Sequence, residues 1–354
     1  MAAAKRLNYL NVIRLLSFAV VFFCHFIMEF SARNMIPAES EKLITSPNIH
    51  IGTPAVALFF MISGAGLILS SEKEAQFDIG RYFKKRVLRI LIPYYVASLT
   101  TYFLHWYRRI PFTAPKWTII FNLTAMDGYL KVLGFDTMYV IVGEWFMGCL
   151  VILYVLFPFL RACVRKAPQA TFWIATVLFA VLAVWNPFPI SQHQNVIFKC
   201  YDFLIGILLV RNAKKLPGWT VIPALLVIGI TLFWPVKIPV PSAFKITGTA
   251  ASVFLLFQKS EDRLAKHVKF NQFCSMCCTY SYEIFLIHHF VIVVLIDRFP
   301  QLRGTPAGLA LLVVLILACS ILLGIAIHMA AELIIRLLEQ CMRRKNEPHA
   351  GQTQ

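Results

Sequence analysis

This sequence is short of charge. Only 14% of its 354 residues are Asp, Glu, Lys or Arg, where a soluble domain carries about 25%. A water-soluble globular enzyme is thereby excluded. MAAAKRLNYL runs straight into apolar sequence without a small-residue cleavage site, so the first span is expected to be retained rather than removed as a signal peptide. Cysteines pair poorly: CSMCC at 274–278 holds one C-x-x-C but no second pair at zinc spacing. Cys24, Cys149, Cys200 and Cys319 lie in apolar stretches, where a thiol behaves as a small buried hydrophobe. Neither a disulfide framework nor a metal site is expected. The net charge of +17 is accompanied by no zinc-finger, RNP-like or helix-turn-helix pattern, so nucleic acid is excluded as a partner. No internal repeat stands out, and Gly and Pro are modest at 16 and 18.

What is present is apolar length. Hydrophobic residues make up 59% of the chain and the mean hydropathy is +0.70. Stretches approaching the 20 residues a helix needs to span a bilayer fall at 8–28, 51–70, 87–105, 139–160, 171–186, 196–211, 219–235, 243–258, 279–297 and 307–335. The expected fold is an all-α polytopic membrane protein of about ten helices, one domain over 1–340 followed by a short basic tail at 341–354. Placing the termini and every second loop in the cytoplasm divides the 34 Lys and Arg roughly two to one in favour of that side. RYFKKRVLR at 81–89, RACVRK at 161–166, RNAKK at 211–215 and RRK at 343–345 all fall there. Both termini are therefore expected inside, with the basic clusters meeting anionic lipid headgroups. The long loop 106–138 holds WTIIFNLTAMDGYL, too short and mixed to span and readable as re-entrant or interfacial. Asn122-Leu-Thr124 within it matches a glycosylation sequon.

Three polar residues interrupt the first span. Arg14 and His25 are eleven residues apart, three helical turns, which sets them within about 20° of one face and about 16 Å apart along the axis. Glu29 follows His25 at i+4, within reach of its imidazole. Such a stripe must face the bundle interior or a water-filled cavity. Taken singly, Arg14 could snorkel to the interface and His25 could bond a backbone carbonyl. At the cytoplasmic mouth of the third span, Arg86 and Arg89 are neighbours at i, i+3. The positive-inside rule alone would put arginines there. With Arg14 on the same side, however, their guanidinium forks suit a polyphosphate ligand.

These residues carry a family resemblance. Arg14 and His25 at R-x10-H resemble the hallmark of the acyltransferase-3 family of integral-membrane acyltransferases. LFFMISGAGLIL at 58–69, with Ser63 and Gly64, is similar to the family's F-x-x-S-G stretch. RVLR at 86–89 followed by Pro93 and Tyr94 resembles its R-x-x-R and P-Y run, WFMGCLVILYVLFP at 145–158 its tryptophan-led span, and SYEIFLIHH at 281–289 its S-Y-x-x-Y-L-x-H signature. The matches follow family order over nearly the whole chain. In one span the sequence departs. Many members carry an acidic pair five or six residues after the tryptophan; here those positions are Leu150 and Val151, and the nearby carboxylate, Glu144, precedes Trp145.

The resemblance implies a membrane O-acetyltransferase moving an acyl group, usually acetyl from cytoplasmic acetyl-coenzyme A (acetyl-CoA), to a hydroxyl of a cell-envelope or secreted saccharide or a glycolipid. It also implies a multi-pass protein of the bacterial cytoplasmic membrane. Acyl-CoA is then a donor substrate, not a bound cofactor. Arg14, Arg86 and Arg89 would hold its phosphates. His25, which titrates in the right range to accept a hydroxyl proton, would act catalytically with Glu29 as its orienting partner. Ser63, Trp145 and His288 would line the substrates; an aromatic such as Trp145 at a cavity mouth can hold a sugar ring. His289, beside His288, faces another direction. His328 and Glu332 at i, i+4 read as a self-satisfied pair, while Asp202 and Glu283 need partners the sequence does not name. A transporter or flippase for a lipid-linked saccharide or small anion is the rival reading, and it lacks the inverted repeats or paired broken helices often seen in that class. A non-catalytic partner in polymer export is a third.

Overall fold

The computed structural model describes residues 7–346 apart from 73, 75, 112–113, 138–140, 214 and 304. Ten principal helices follow the ten apolar stretches: α1 Asn8–Ala32, α2 Gly52–Ser71, α3 Ile79–Tyr107, α4 Glu144–Lys166, α5 Pro168–Trp185, α6 Val196–Arg211, α7 Val221–Phe233, α8 Ser242–Lys259, α9 Val268–Arg298 and α10 Pro306–Asn346. Among the described residues there is no β-strand. Helices α1–α5, α9 and α10 are long and apolar enough to cross a membrane, seven in all. By contrast, α7 has 13 residues, about 20 Å of rise against a hydrocarbon core of about 30 Å. The fourth helix begins at Glu144, not at the apolar boundary near 139, because Gly143 adopts a left-handed φ of 63° and stops the helix from starting earlier. Of the tail at 341–354, residues 347–354 lie outside the described residues.

Helix α2 is the most buried of the seven spans, and its small residues explain why. A Cβ at Gly64 would run into the carbonyl oxygen of Phe203, and one at Gly206 into that of Met61. Two glycines thus bring the backbones of α2 and α6 into contact, the small-residue packing that membrane helices use in place of a hydrophobic driving force. The charges in α6 find partners inside the bundle. Lys199 Nζ lies 2.6 Å from Asp202 Oδ2, and Thr247 of α8 donates to Asp202 Oδ1 at 2.6 Å.

Helix α3 widens into a π-helical turn at Val87–Leu91 just before Pro93. A proline here has no N–H for the preceding turn and crowds its carbonyls, and such turns recur at functional sites. This one carries Arg89, and the hydroxyl of Tyr282 from α9 donates to the Ile90 carbonyl within it at 2.9 Å. In the long loop, the short helices Ile119–Leu123 and Asp127–Val132 pack on α3 through a buried polar knot. Tyr94 donates to Asp127 at 2.7 Å and the Asn122 amide donates to the Tyr94 hydroxyl at 2.9 Å. Asn122 is only 5% exposed, so the sequon is no surface glycosylation acceptor.

Candidate functional site

Of the cavities among the described residues, one contains Arg14 and another contains His25, and these two share no lining residue. Arg14 and His25, on one face of α1, line different cavities, so a donor held at the arginine end reaches His25 only by passing the side chains between them. Between them stand three phenylalanines, Phe59 of α2, Phe146 of α4 and Phe285 of α9, with ring centroids 5.0–6.0 Å apart pairwise. All three line the first cavity, and Phe285 also borders a small void beside Glu144, His288 and His289.

The first, of about 320 Å³, is the arginine cavity, where Arg14, Arg86 and Arg89 meet from α1 and α3. The three differ in how far they are satisfied. Arg89 is 62% exposed and pairs with Glu332 at 2.9 Å. Arg86 lies beside the rings of Tyr82 and Tyr154, 5.8 and 5.9 Å from their centroids, and its Nε is buried without a partner among the described residues. The Arg14 guanidinium makes no hydrogen bond or ion pair among the described residues. Ser63 lines the same cavity with its hydroxyl tied to the Phe59 carbonyl at 2.8 Å. The pairing of His328 with Glu332 is corrected here as well. His328 Nδ1 instead meets Glu283 Oε1 at 3.0 Å, leaving Glu332 to Arg89.

The second, of about 490 Å³, is the histidine cavity, bounded by His25, Glu144 and Trp145 together with His50 and His193 from the loops. Trp145 stands edge-on to His193, ring centroids 6.1 Å apart. Burial above all, then the charge of Lys199 and the neighbouring His50, hold the His193 imidazole down to about 4.

Five titratable side chains from α1, α4 and α9 converge here: His25, Glu29, Glu144, His288 and His289. His288 Nδ1 lies 2.7 Å from the Phe285 carbonyl, which only accepts, so that nitrogen carries the hydrogen and Nε2 is left as acceptor. His25 Nδ1, 3.0 Å from His288 Nε2, must then be the donor. The remaining nitrogen of His25, Nε2, keeps its lone pair, has no partner among the described residues and opens on the histidine cavity. His288 itself is 2% exposed and lines neither the arginine nor the histidine cavity; it stands behind His25.

Glu29 does not reach His25. Its carboxylate accepts from His289 Nε2 at 2.9 Å and also binds Arg33, because the i+4 arginine and the facing helix compete for it. His289, whose direction away from His288 takes it toward α1 and α4, is thus gripped at both nitrogens: Nδ1 donates to Glu144 Oε1 at 2.5 Å. That same carboxylate oxygen is 3.6 Å from His25 Nδ1. Glu144 is the residue the sequence pattern passed over, since the family's acids follow the tryptophan and this one precedes it. Its backbone φ of 47° is uncommon for a non-glycine residue, and strain of this kind gathers at functional sites. The Gly143 amide donates to the Leu286 carbonyl at 3.2 Å, pinning the start of α4 to α9 and bringing Glu144 to His289. His25, Glu144 and His289 also offer three ligand atoms within 4.8 Å of one another; an ion entering there would displace the His289–Glu144 hydrogen bond.

A family model described as an acyltransferase domain, that of acyltransferase 3, matches residues 7–325. The chain belongs to the acyltransferase-3 family. No curated protein and no solved structure matches it significantly. This acyltransferase is accordingly a multi-pass integral membrane protein, and the matched range takes in the histidine cavity, every residue of the histidine–carboxylate cluster and the arginine cavity except its α10 wall from His328 to Ile335.

Proposed function

We propose that this acyltransferase moves an acyl group, acetyl in the first instance, from cytoplasmic acyl-CoA to a hydroxyl of a saccharide or glycolipid on the opposite side of a bacterial cytoplasmic membrane, with both termini inside. The observation that carries the reading is the free nitrogen of His25. One imidazole edge is fixed by a hydrogen-bonded neighbour, and the other presents a lone pair to a cavity large enough for a sugar ring. The arginine cavity supports the donor: among the described residues Arg14 and the Nε of Arg86 lack anionic partners, and a nucleotide phosphate supplies them bidentately.

The chemistry follows from these positions. Acceptor oxygen attacks the thioester carbonyl as His25 Nε2 takes the hydroxyl proton; a C–O bond forms. The C–S bond breaks and the imidazolium returns the proton to the leaving sulfur. Glu144 stabilises the transient charge on His25 from 3.6 Å, and His289, held by Glu29 and Glu144, fixes that carboxylate. Trp145 and His193 line the acceptor side, Ser63 the donor side.

The test is acyl transfer by purified protein in nanodiscs, with labelled acetyl-CoA and a saccharide acceptor. His25→Ala should lose at least a hundredfold in rate, the usual share of general-base catalysis, while still inserting and binding coenzyme A. Undiminished transfer by well-folded mutant protein would take His25 out of the reaction.

A further inference from the structure

Besides Arg86 Nε, a second buried atom of the arginine cavity wall has no partner among the described residues: Oε2 of Glu283. The side chain is firmly placed. Glu283 is 5% exposed, and its Oε1 is held by His328 of α10 at 3.0 Å. Leaving a carboxylate oxygen unpaired in such surroundings is costly, so the filled cavity should bring an N–H or O–H donor to it. Ionised phosphate cannot be that donor, having only acceptors, and a thioester has neither kind of hydrogen.

Height narrows the choice. Glu283 precedes His288 by five residues on α9, about 7.5 Å along the axis toward the arginine end, and His288 marks the level of His25. In the pantetheine arm of coenzyme A, the cysteamine amide nitrogen lies four bonds, about 5 Å, from the thioester carbon, and the second amide about 5 Å further, with ordinary bond lengths. With the thioester at His25, the arm's amides bracket the level of Glu283. We propose that Glu283, fixed by His328, is a recognition site for an amide N–H of the donor's pantetheine arm, so that the enzyme reads the arm as well as the phosphates. This rests on the acyl-CoA reading above.

The experiment compares three donors with wild type, Glu283→Leu and Glu283→Gln: acetyl-CoA, S-acetyl-N-acetylcysteamine, which keeps one amide, and S-ethyl thioacetate, which has none. Glu283→Leu should raise KM for acetyl-CoA tenfold or more with kcat within twofold, and leave kcat/KM for S-ethyl thioacetate unchanged. Glu283→Gln, which keeps an acceptor oxygen, should stay within threefold of wild type on acetyl-CoA. Equal losses on all three donors, or an unchanged KM in Glu283→Leu, would overturn the assignment and leave Glu283 a structural partner of His328. Absence of turnover by wild type with any acyl-CoA would instead overturn the underlying function.

Discussion

His25 owes its free nitrogen to a backbone carbonyl on another helix. Phe285 oxygen fixes the hydrogen on His288 Nδ1, His288 Nε2 fixes it on His25 Nδ1, and the lone pair is left at Nε2. His288 is therefore a positioning residue, and it can be separated from a space-filler by what replaces it. His288→Gln keeps an acceptor near the Nε2 position and should retain activity within tenfold. His288→Leu, similar in bulk but with nothing to accept, frees His25 to take either tautomer and should lose about a hundredfold in kcat, with the KM for acetyl-CoA unchanged. Equal activity in the two variants would show that His288 only packs. A wrong tautomer at a catalytic histidine is known to be costly even where the geometry survives.

At the scale of elements, helix contact and loop burial set the tolerances. Because Gly206 meets the Met61 carbonyl, Gly206→Val should force α2 and α6 apart and lower the melting temperature in detergent, whereas Gly229→Val on α7, where a Cβ meets nothing within 4 Å, should not. The loop at 191–195 behaves differently, through protons. His193 has a folded value near 4, below the unfolded value of about 6.5. The unfolded chain therefore binds the extra proton between these two values. Its contribution to stability is full above about pH 6.5 and is lost as the pH falls toward 4. Melting temperatures taken from pH 7.5 to 4.5 should drop less steeply for His193→Gln than for wild type.

The same scale explains what the sequence made legible. Ten apolar stretches became ten helices, and Arg14, Arg86 and Arg89 met in one cavity, because span length and charge at helix ends are properties of single segments. The cluster at His25 is not such a property. Spacing along α1 places Glu29 beside His25 on one face, but it does not register that His289 arrives from α9 to claim the carboxylate, or that Arg33 competes for it one turn on. Glu144 was obscured by position: it stands before Trp145 in a glycine-led turn, where the helix has only begun and periodicity has no hold.

At the scale of the whole molecule, the three rings of Phe59, Phe146 and Phe285 stand between the cavity proposed for the phosphates and the one proposed for the acceptor, so that on this reading only the donor's narrow arm joins the two. On the proposed reaction the acyl group passes outward as a neutral fragment, and the hydroxyl hydrogen goes inward on the coenzyme's sulfur, also neutral, since His25 takes it and gives it back. Turnover is then electrically silent. A membrane potential neither drives nor brakes it, and vesicles clamped at 0 and −100 mV with a potassium ionophore should acylate at rates within a factor of two. Were the proton instead released into the histidine cavity and replaced from the cytoplasm, each cycle would carry a charge across the barrier, work of about 2.3 kcal/mol per 100 mV, and the rate would fall with the voltage. On the proposed reaction, with the proton kept between His25 and the coenzyme's sulfur, the enzyme is a voltage-indifferent exchanger of an acyl group for a hydrogen.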